Sequence, residues 1–387
     1  MDSCGIYVHV PYCRTICPYC DFNVYARKEH PWSQMVLSVE RDLRRRAPLF
    51  EASPVGTIYF GGGTPSLAPA TFFKAILRAI DQRLTVEEDA EISIEINPGT
   101  IAEGALDAWR EAGINRLSLG WQSTRSSLMK VLGRDHTVDE SMAAFKQSRE
   151  AGFDNISLDL IFGVPGQTLN DLKADLECIE SLAPDHVSIY EMTFHEGTPY
   201  ARYLEKKRFA EVDDDRILEM TLLIEQSMQR LGFEHYEVSN FSKPGKRSRH
   251  NQRYWTGSSF LGLGPGAHSF VRNQWQGGHR WENRRVPEIY FEAMESDGSS
   301  LPQQQDGTTE FCDALDARQL FNERVMTGVR LLDGLKLEPW LESDFRHEIA
   351  LAQTEAVSRG WLVDDPNRIC ATPEGRRHAD SLAALFF

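Results

Sequence analysis

The chain has 387 residues, 41% of them hydrophobic and 26% charged, a composition that excludes disordered and fibrous classes. Its formal net charge of −15 argues against a nucleic-acid partner, because contact with phosphate needs a basic face. No basic segment followed by a long apolar run opens the sequence, and no window of about 18 apolar residues occurs, so the chain is expected in the cytoplasm without a transmembrane segment.

Strand and helix patterns alternate along the first half. GIYVHV (5–10) reads as a strand bounded by Gly5 and Pro11, and WSQMVLSVERDLRRR (32–46) as a helix. VGTIYF (55–60) precedes a helix over 69–84. EISIEI (91–96) ends at Asn97-Pro98 and precedes a short helix over 103–113, stopped by Gly113. INRLSLG (114–120) leads to a helix near 137–152, and NISLDLIFG (155–163) to one over 168–182. HVSIYEMTF (186–194) is followed by a helix over 215–232. Repeated βα units imply a parallel sheet with right-handed crossovers, and six of them fit an open, partial (β/α)6 barrel better than a closed one. A doubly wound open sheet is the alternative.

The polar stretch 295–310 reads as a linker. Beyond it, 311–332 is read as helical and 360–387 as a short hairpin and then a helix, together a small helical, winged-helix-like module. The expected divisions are a core over 1–235, an extension over 236–298 and the C-terminal module over 299–387.

In either α/β fold, ligands bind at the carboxyl ends of the strands, where the distinctive residues fall. Cys13, Cys17 and Cys20 follow the first strand, GGGTP the second, Glu95 and Gln122 close the third and fourth, and Asp159 lies within the fifth. The cysteine spacing is C-x3-C-x2-C on one loop, whereas structural zinc sites want four ligands, usually as two separated pairs. Cys4, Cys178, Cys312 and Cys370 are isolated in the sequence and supply no second pair. Thiolates also select iron–sulfur clusters. Three cysteines can hold a cubane by three irons and leave the fourth iron to a ligand.

That spacing resembles the signature of the radical S-adenosylmethionine (SAM) superfamily. IYVHVPYCRTICPYCDFN, YFGGGTPS, EINP, RLSLGWQS, LGRDHT and DLIFGVPGQT resemble, in order, motifs of the oxygen-independent coproporphyrinogen oxidase family over roughly residues 5–270. The resemblance implies a 4Fe-4S cluster on Cys13, Cys17 and Cys20, with SAM chelating the open iron. It implies SAM contacts at Tyr7, Tyr19, Gly62, Gly63, Thr64, Glu95, Gln122, Arg134 and Asp159. The chemistry suits these roles: glycines permit close backbone approach, carboxylates and an amide bond hydroxyls, and a guanidinium pairs with a carboxylate. The glycines also have a plain reading as a strand-to-helix turn, Asp159 as a helix-cap or salt-bridge partner, and Arg134 as one of the common surface arginines.

The oxidases carry a fourth nearby cysteine where this chain has Phe22, and a longer segment before the first cysteine. Both departures point away from coproporphyrinogen decarboxylation and toward the HemW-type sister group, read as heme chaperones. The hallmark of that group, H-N-x-x-Y-W, resembles HNQRYW at 250–255. By this resemblance His250 is the expected heme ligand. Tyr254 and Trp255 would offer flat apolar faces, and Lys243, Lys246, Arg247, Arg249 and Arg253 would meet the propionates. The bland reading is a polar loop with a solvated basic run.

Three functions follow. The first is a chaperone that binds heme and passes it to an acceptor protein, soluble or membrane-associated, while carrying the SAM-liganded cluster. The second is an enzyme that generates a 5′-deoxyadenosyl radical to act on a porphyrinogen or another substrate. The third is a non-catalytic iron–sulfur interaction protein.

Overall fold

The structure, a computed structural model, describes residues 3–296, 298–302 and 307–387. Its centre is a sheet whose strands we number in chain order: β1 Cys4–Val10, β2 Val55–Gly62, β3 Val86–Ile96, β4 Arg116–Gln122, β5 Ile156–Phe162, β6 His186–Glu191, β7 Glu234–Glu237, β8 Asn240–Ser242, β9 Phe260–Leu263, β10 His268–Arg272, β11 Gly277–Asn283 and β12 Thr309–Asp316. Their spatial order is β12-β11-β10-β9-β1-β2-β3-β4-β5-β6-β8-β7.

β1 to β6 are all parallel and lie side by side in sequence order. A doubly wound sheet reverses direction at a switch point; this one does not, so right-handed crossovers keep winding the same way, as in a barrel. Among the described residues the end strands β12 and β7 do not pair, and the barrel stays open. The expected βα units are therefore present, with helices at Trp32–Arg46, Ala70–Asp81, Ala105–Glu111, Val138–Glu150, Leu169–Leu182 and Asp214–Arg230. Two of them start at capping boxes, Thr137 with Glu140 and Thr168 with Asp171, which satisfy otherwise orphaned backbone N–H groups.

Two parts of the second half differ from expectation. On the far side of β1, β9 pairs parallel to it, and β10, β11 and β12 continue as an antiparallel meander. Residues 311–316, read as helical, form most of β12; FCDALD alternates well enough to pair with β11, and the helix starts only at Ala317, capped by Asp316. The basic run 243–253, for which a solvated loop was the bland alternative, leads into a helix at Arg249–Thr256, started by the Ser248 hydroxyl and stopped by Gly257 with positive φ.

The main hydrophobic core joins the strands to the surrounding helices. A second core, built on Phe321, Val325, Trp340, Ile349 and Leu382, forms the C-terminal module. There Leu362 bridges Ala371 in the expected hairpin, while the closing helix is split into Pro373–Arg377 and Ala379–Ala384. The expected linker 295–310 lies partly outside the described residues, at 297 and 303–306.

Candidate functional site

Parallel strands send alternate residues to the same face, so register decides what meets inside the barrel. Tyr59 stands beside Ser93, Glu95 beside Ser118, Ser118 beside Ser157, and Asp159 beside Ser188. This polar inner face opens at the carboxyl ends of the strands into a cavity of about 430 Å³. Its lining includes Cys13, Cys17, Cys20, Tyr19, Gly62, Gly63, Thr64, Glu95, Gln122, Arg134 and Asp159. All three expected cluster ligands and eight of the nine expected SAM contacts thus share one space.

The cysteine loop is held at both ends. Tyr12 and Cys13 form a short parallel ladder with Tyr25 and Ala26, and the Cys20 N–H donates to the Cys17 carbonyl at 3.0 Å. The Thr64 hydroxyl points to Cys13 Sγ at 3.5 Å, and Arg134 Nη1 to Cys17 Sγ at 3.6 Å. Burial raises the Cys13 thiol and pushes Cys20 up to about 11, the neighbouring Cys17 and Cys13 sulfurs adding to the Cys20 shift. Those two thiols hold their protons at neutral pH until a cation compensates, so metal loading releases protons.

Two glycines at the carboxyl end of β2 leave no room for a side chain. Gly62 has φ +115°, and a Cβ there would fall 2.5 Å from the His9 ring. A Cβ on Gly63 would fall 2.7 Å from the Tyr12 carbonyl and 3.0 Å from Cys13 Sγ. Gln122 has φ +67° beyond an irregularity in the β4 ladder, a costly conformation that turns it into the cavity.

Glu95 accepts from the Tyr59 hydroxyl at 2.9 Å and from the Gly62 N–H at 3.0 Å. Burial lifts its carboxyl to about 7 despite those two bonds, and the Asp159 charge pushes the same way. Asp159 is likewise raised by burial; Ser118 donates to it at 2.8 and 3.1 Å, and Ser157 at 3.3 Å.

Tyr7 and His250, both expected at the site, are not in the cavity lining. Tyr7 lies behind Tyr59, ring centroids 6.2 Å apart, and its hydroxyl is bonded to His9 Nδ1 at 2.9 Å. His250 is 1% exposed, stacks on Tyr59 at 5.0 Å, and uses both nitrogens: Nδ1 with Thr57 Oγ1 and Nε2 with the Tyr254 hydroxyl, each at 2.9 Å. Burial holds its pKa down to about 3. The helix that carries it is tied to β3 through Glu91, which accepts the N–H groups of Arg249 and His250 at 3.0 Å.

The basic run is also not a free patch. Arg247 pairs with Glu234 and Asp333, Arg249 with Glu87 and Asp89, and Arg253 bonds Thr57 and Ser3. Lys243 and Lys246 donate to the carbonyls of Leu231 and Asp154. This corrects the expectation of cations waiting for propionates: nearby carboxylates and carbonyls already take them.

The sequence reading missed Tyr59, Arg116, Ser118, Tyr190, His195 and Asn251 in the lining. Polar residues at alternate positions of buried strands were the available signal for the first four.

The donor set fits an iron–sulfur cluster. Among the described residues no three His, Cys, Asp or Glu side chains converge tightly enough for a single metal ion. A cubane takes one thiolate per iron, so its sulfurs stay apart around a shared space, as the lining places them.

Residues 7–179 match the radical SAM superfamily and residues 315–378 the HemN C-terminal domain. The chain is 34% identical over 383 residues to the heme chaperone HemW of Mycobacterium tuberculosis, across 98% of this chain and 93% of that protein. The chain belongs to the HemW family. HemW of Escherichia coli is 31% identical across 99% of this chain and 97% of its own, and the mitochondrial radical S-adenosyl methionine domain-containing protein 1 of Danio rerio 30% across 87% and 74%. The solved coproporphyrinogen III oxidase HemN of Escherichia coli superposes with a TM-score of 0.83 at 22% identity, covering 100% of this chain and 90% of that one. That likeness confirms the α/β fold of radical SAM type. No described helix is long and apolar enough to cross a membrane. Membership of the radical SAM superfamily implies a 4Fe-4S cluster and SAM.

Proposed function

We propose that this chain is a heme chaperone, which binds heme, passes it to an acceptor protein and carries a SAM-liganded 4Fe-4S cluster on Cys13, Cys17 and Cys20. The observation that supports the cofactor part is the shared cavity, in which three thiols face the same space as Glu95, Arg134 and Asp159. The heme part is supported by full-length similarity to proteins named heme chaperones. The acceptor is soluble or membrane-bound, and the chain acts in the cytoplasm. In our division, residues 1–235 form the core, 236–298 the extension with the HNQRYW helix, and 299–387 the C-terminal module.

A cluster held by Cys13, Cys17 and Cys20 would supply electrons for chemistry on bound SAM. The protein's own groups do the holding. Arg134 brings positive charge beside Cys17, which offsets thiolate charge and leaves guanidinium N–H groups for a carboxylate. Tyr59 and Gly62 fix Glu95, and Ser118 and Ser157 fix Asp159, so both acids present oxygens to hydroxyl or ammonium groups. Gly62, Gly63 and Thr64 set the floor, Gln122 turns in from β4, and Tyr19 walls one side. Tyr7 supports Tyr59 from behind. Heme ligation by His250 requires its bonds to Thr57 and Tyr254 to break and the helix to move.

A radical enzyme is the second reading, favoured by the match of residues 7–179 to the radical SAM superfamily. The test is anaerobic reconstitution with iron and sulfide, spectra with and without hemin, and a SAM cleavage assay. The chaperone reading expects one cluster per chain and hemin bands; hemin indifference with rapid SAM turnover on a substrate would favour the enzyme. Cys17→Ala should lose the cluster absorbance while circular dichroism stays unchanged. A variant with all three cysteines changed that still binds four irons as a cubane would refute the assignment.

A further inference from the structure

We propose that His186 is a positioning residue for the SAM site, holding Ser157, and through it the Asp159 carboxylate, by a buried hydrogen-bonded line that begins at Ser248. This role rests on the reading of the cavity as a SAM site and adds to it the groups one layer deeper in the barrel. Strand register places them. On the adjacent parallel strands β5 and β6, Ser157 stands beside His186 and Asp159 beside Ser188. Residues two apart on a strand share a face, so Ser157 lies under Asp159 and His186 under Ser188. Asp159 and Ser188 reach the cavity lining, while Ser157 and His186 are fully buried beneath it.

The line is continuous. The Ser157 hydroxyl lies 2.8 Å from His186 Nδ1 and 3.3 Å from Asp159 Oδ1. His186 Nε2 lies 2.7 Å from the hydroxyl of Tyr236 on β7, and that hydroxyl accepts the Ser248 N–H at 3.3 Å. Its two ends set its direction, because a backbone N–H only donates and an ionised carboxylate only accepts. Tyr236 therefore donates to His186 Nε2, His186 Nδ1–H donates to Ser157, and Ser157 donates to Asp159. Among the described residues the Tyr236 hydroxyl meets no other acceptor, so the opposite direction would leave a buried O–H unpaired. The imidazole is then neutral, with its proton on Nδ1. Burial agrees: it holds the His186 pKa well below the ordinary value, and the Arg116 charge pushes the same way.

A serine hydroxyl on its own rotates among staggered positions. With its oxygen occupied by His186 Nδ1–H, the Ser157 hydrogen is left for the carboxylate. Ser118 donates to Asp159 from β4 at 2.8 Å, so the acid is gripped from two strands and its remaining lone pairs are left for a ligand in the cavity. Tyr236 and Ser248 are fully buried, so the line has no exit to solvent at its outer end and orients hydrogens without conducting them.

The experiment joins SAM titration with nitrogen-15 NMR, both on anaerobically reconstituted full-length protein with iron content measured in every variant. The His186 ring signals, identified by their loss in His186→Phe or His186→Gln, should show a neutral ring protonated at Nδ1 from about pH 6 to 8. SAM affinity should fall about five- to tenfold in His186→Phe and in Ser157→Ala, with iron content unchanged. The double variant should bind no more weakly than Ser157→Ala alone, because both changes reach Asp159 through one hydroxyl; a merely structural role gives additive losses. If His186→Phe does not fold, the ring proton and Ser157→Ala decide. A ring protonated at Nε2, additive losses in the double variant, or unchanged SAM affinity in Ser157→Ala overturns the role of His186 and leaves the SAM reading standing. Absence of SAM binding by the wild type overturns both together.

Discussion

Glu95→Gln should reverse its effect on stability with pH. The wild-type carboxyl moves from the ordinary 4.5 to about 7 in the folded chain, chiefly through burial. Between those values the native state holds a proton that the unfolded chain releases, so wild-type stability falls as pH rises from 4.5 to 7 and then levels off. At about 1.4 kcal/mol per unit the full loss is about 3 kcal/mol, an upper value because the cavity admits water. Gln has no such charge to bury. It does replace one oxygen by an NH2 group, so either the Tyr59 hydroxyl or the Gly62 N–H loses its acceptor, which costs about 1–2 kcal/mol. The variant should be less stable by about that amount near pH 4.5 and more stable by about 1–2 kcal/mol near pH 8, with a crossing at about pH 5.5–6. Urea unfolding of the metal-free protein at both ends of the range measures this. Because every other titrating group is common to the two chains, a difference that stays constant with pH would show that Glu95 ionises normally and that the cavity is wetter than its burial indicates.

Gly62→Ala should lower Tm sharply: the positive φ alone costs about 1–3 kcal/mol, and the methyl group meets the His9 ring; an unchanged Tm means that the loop relaxes freely. His250→Ala should destabilise by about 1–3 kcal/mol, because the Thr57 and Tyr254 hydroxyls lose their partner. The pKa of His250 is lowered to about 3, so its wild-type contribution is present above 6.5 and disappears as pH falls toward 3. The variant should accordingly show a shallower acid slope in urea midpoints, and an identical slope would contradict the buried, neutral imidazole. The protein should not convert coproporphyrinogen III to protoporphyrinogen IX, since exposed Phe22 follows the cluster loop where the oxidases carry a cysteine; product formation above background in an anaerobic assay refutes this.

The βα half was legible because strands covered on both faces are short apolar runs between turn signals. β1 and the helix Trp32–Arg46 are cases where apolar spacing and breakers agree. The strands β7 to β12 were not seen: EHYE and NFS are too short to show a period, and GGHRWEN opens on two glycines and buries a charged residue, Glu282. The helix Arg249–Thr256 was hidden by its charge, since its stability comes from partners distant in sequence: Glu91, Thr57 and Glu87. In the cavity the cysteines, glycines and Glu95 were readable as motifs. Arg116, Ser118 and His195 were not, because only strand register and loop packing bring them together. The inverse error, taking the run around Arg247 for a free basic patch, came from counting cations on one segment without the acids that fold onto it.

The position of β1 sets an order of events during synthesis. Its partners are β2, which begins at Val55, and β9, where Phe260 stands opposite Gly5. The loop beyond it is pinned by the Asn23 amide to the carbonyls of Pro265 and Arg285, at 3.1 and 2.9 Å. A nascent chain that has emerged only as far as β6 thus has its cysteine loop made but lacks the segments that flank it on the β9 side. Contacts this distant are slow to form and are supplied last. The full surroundings of the cysteine loop therefore exist only once the chain has been made past Arg285, and a cluster held as proposed would find its complete site only then.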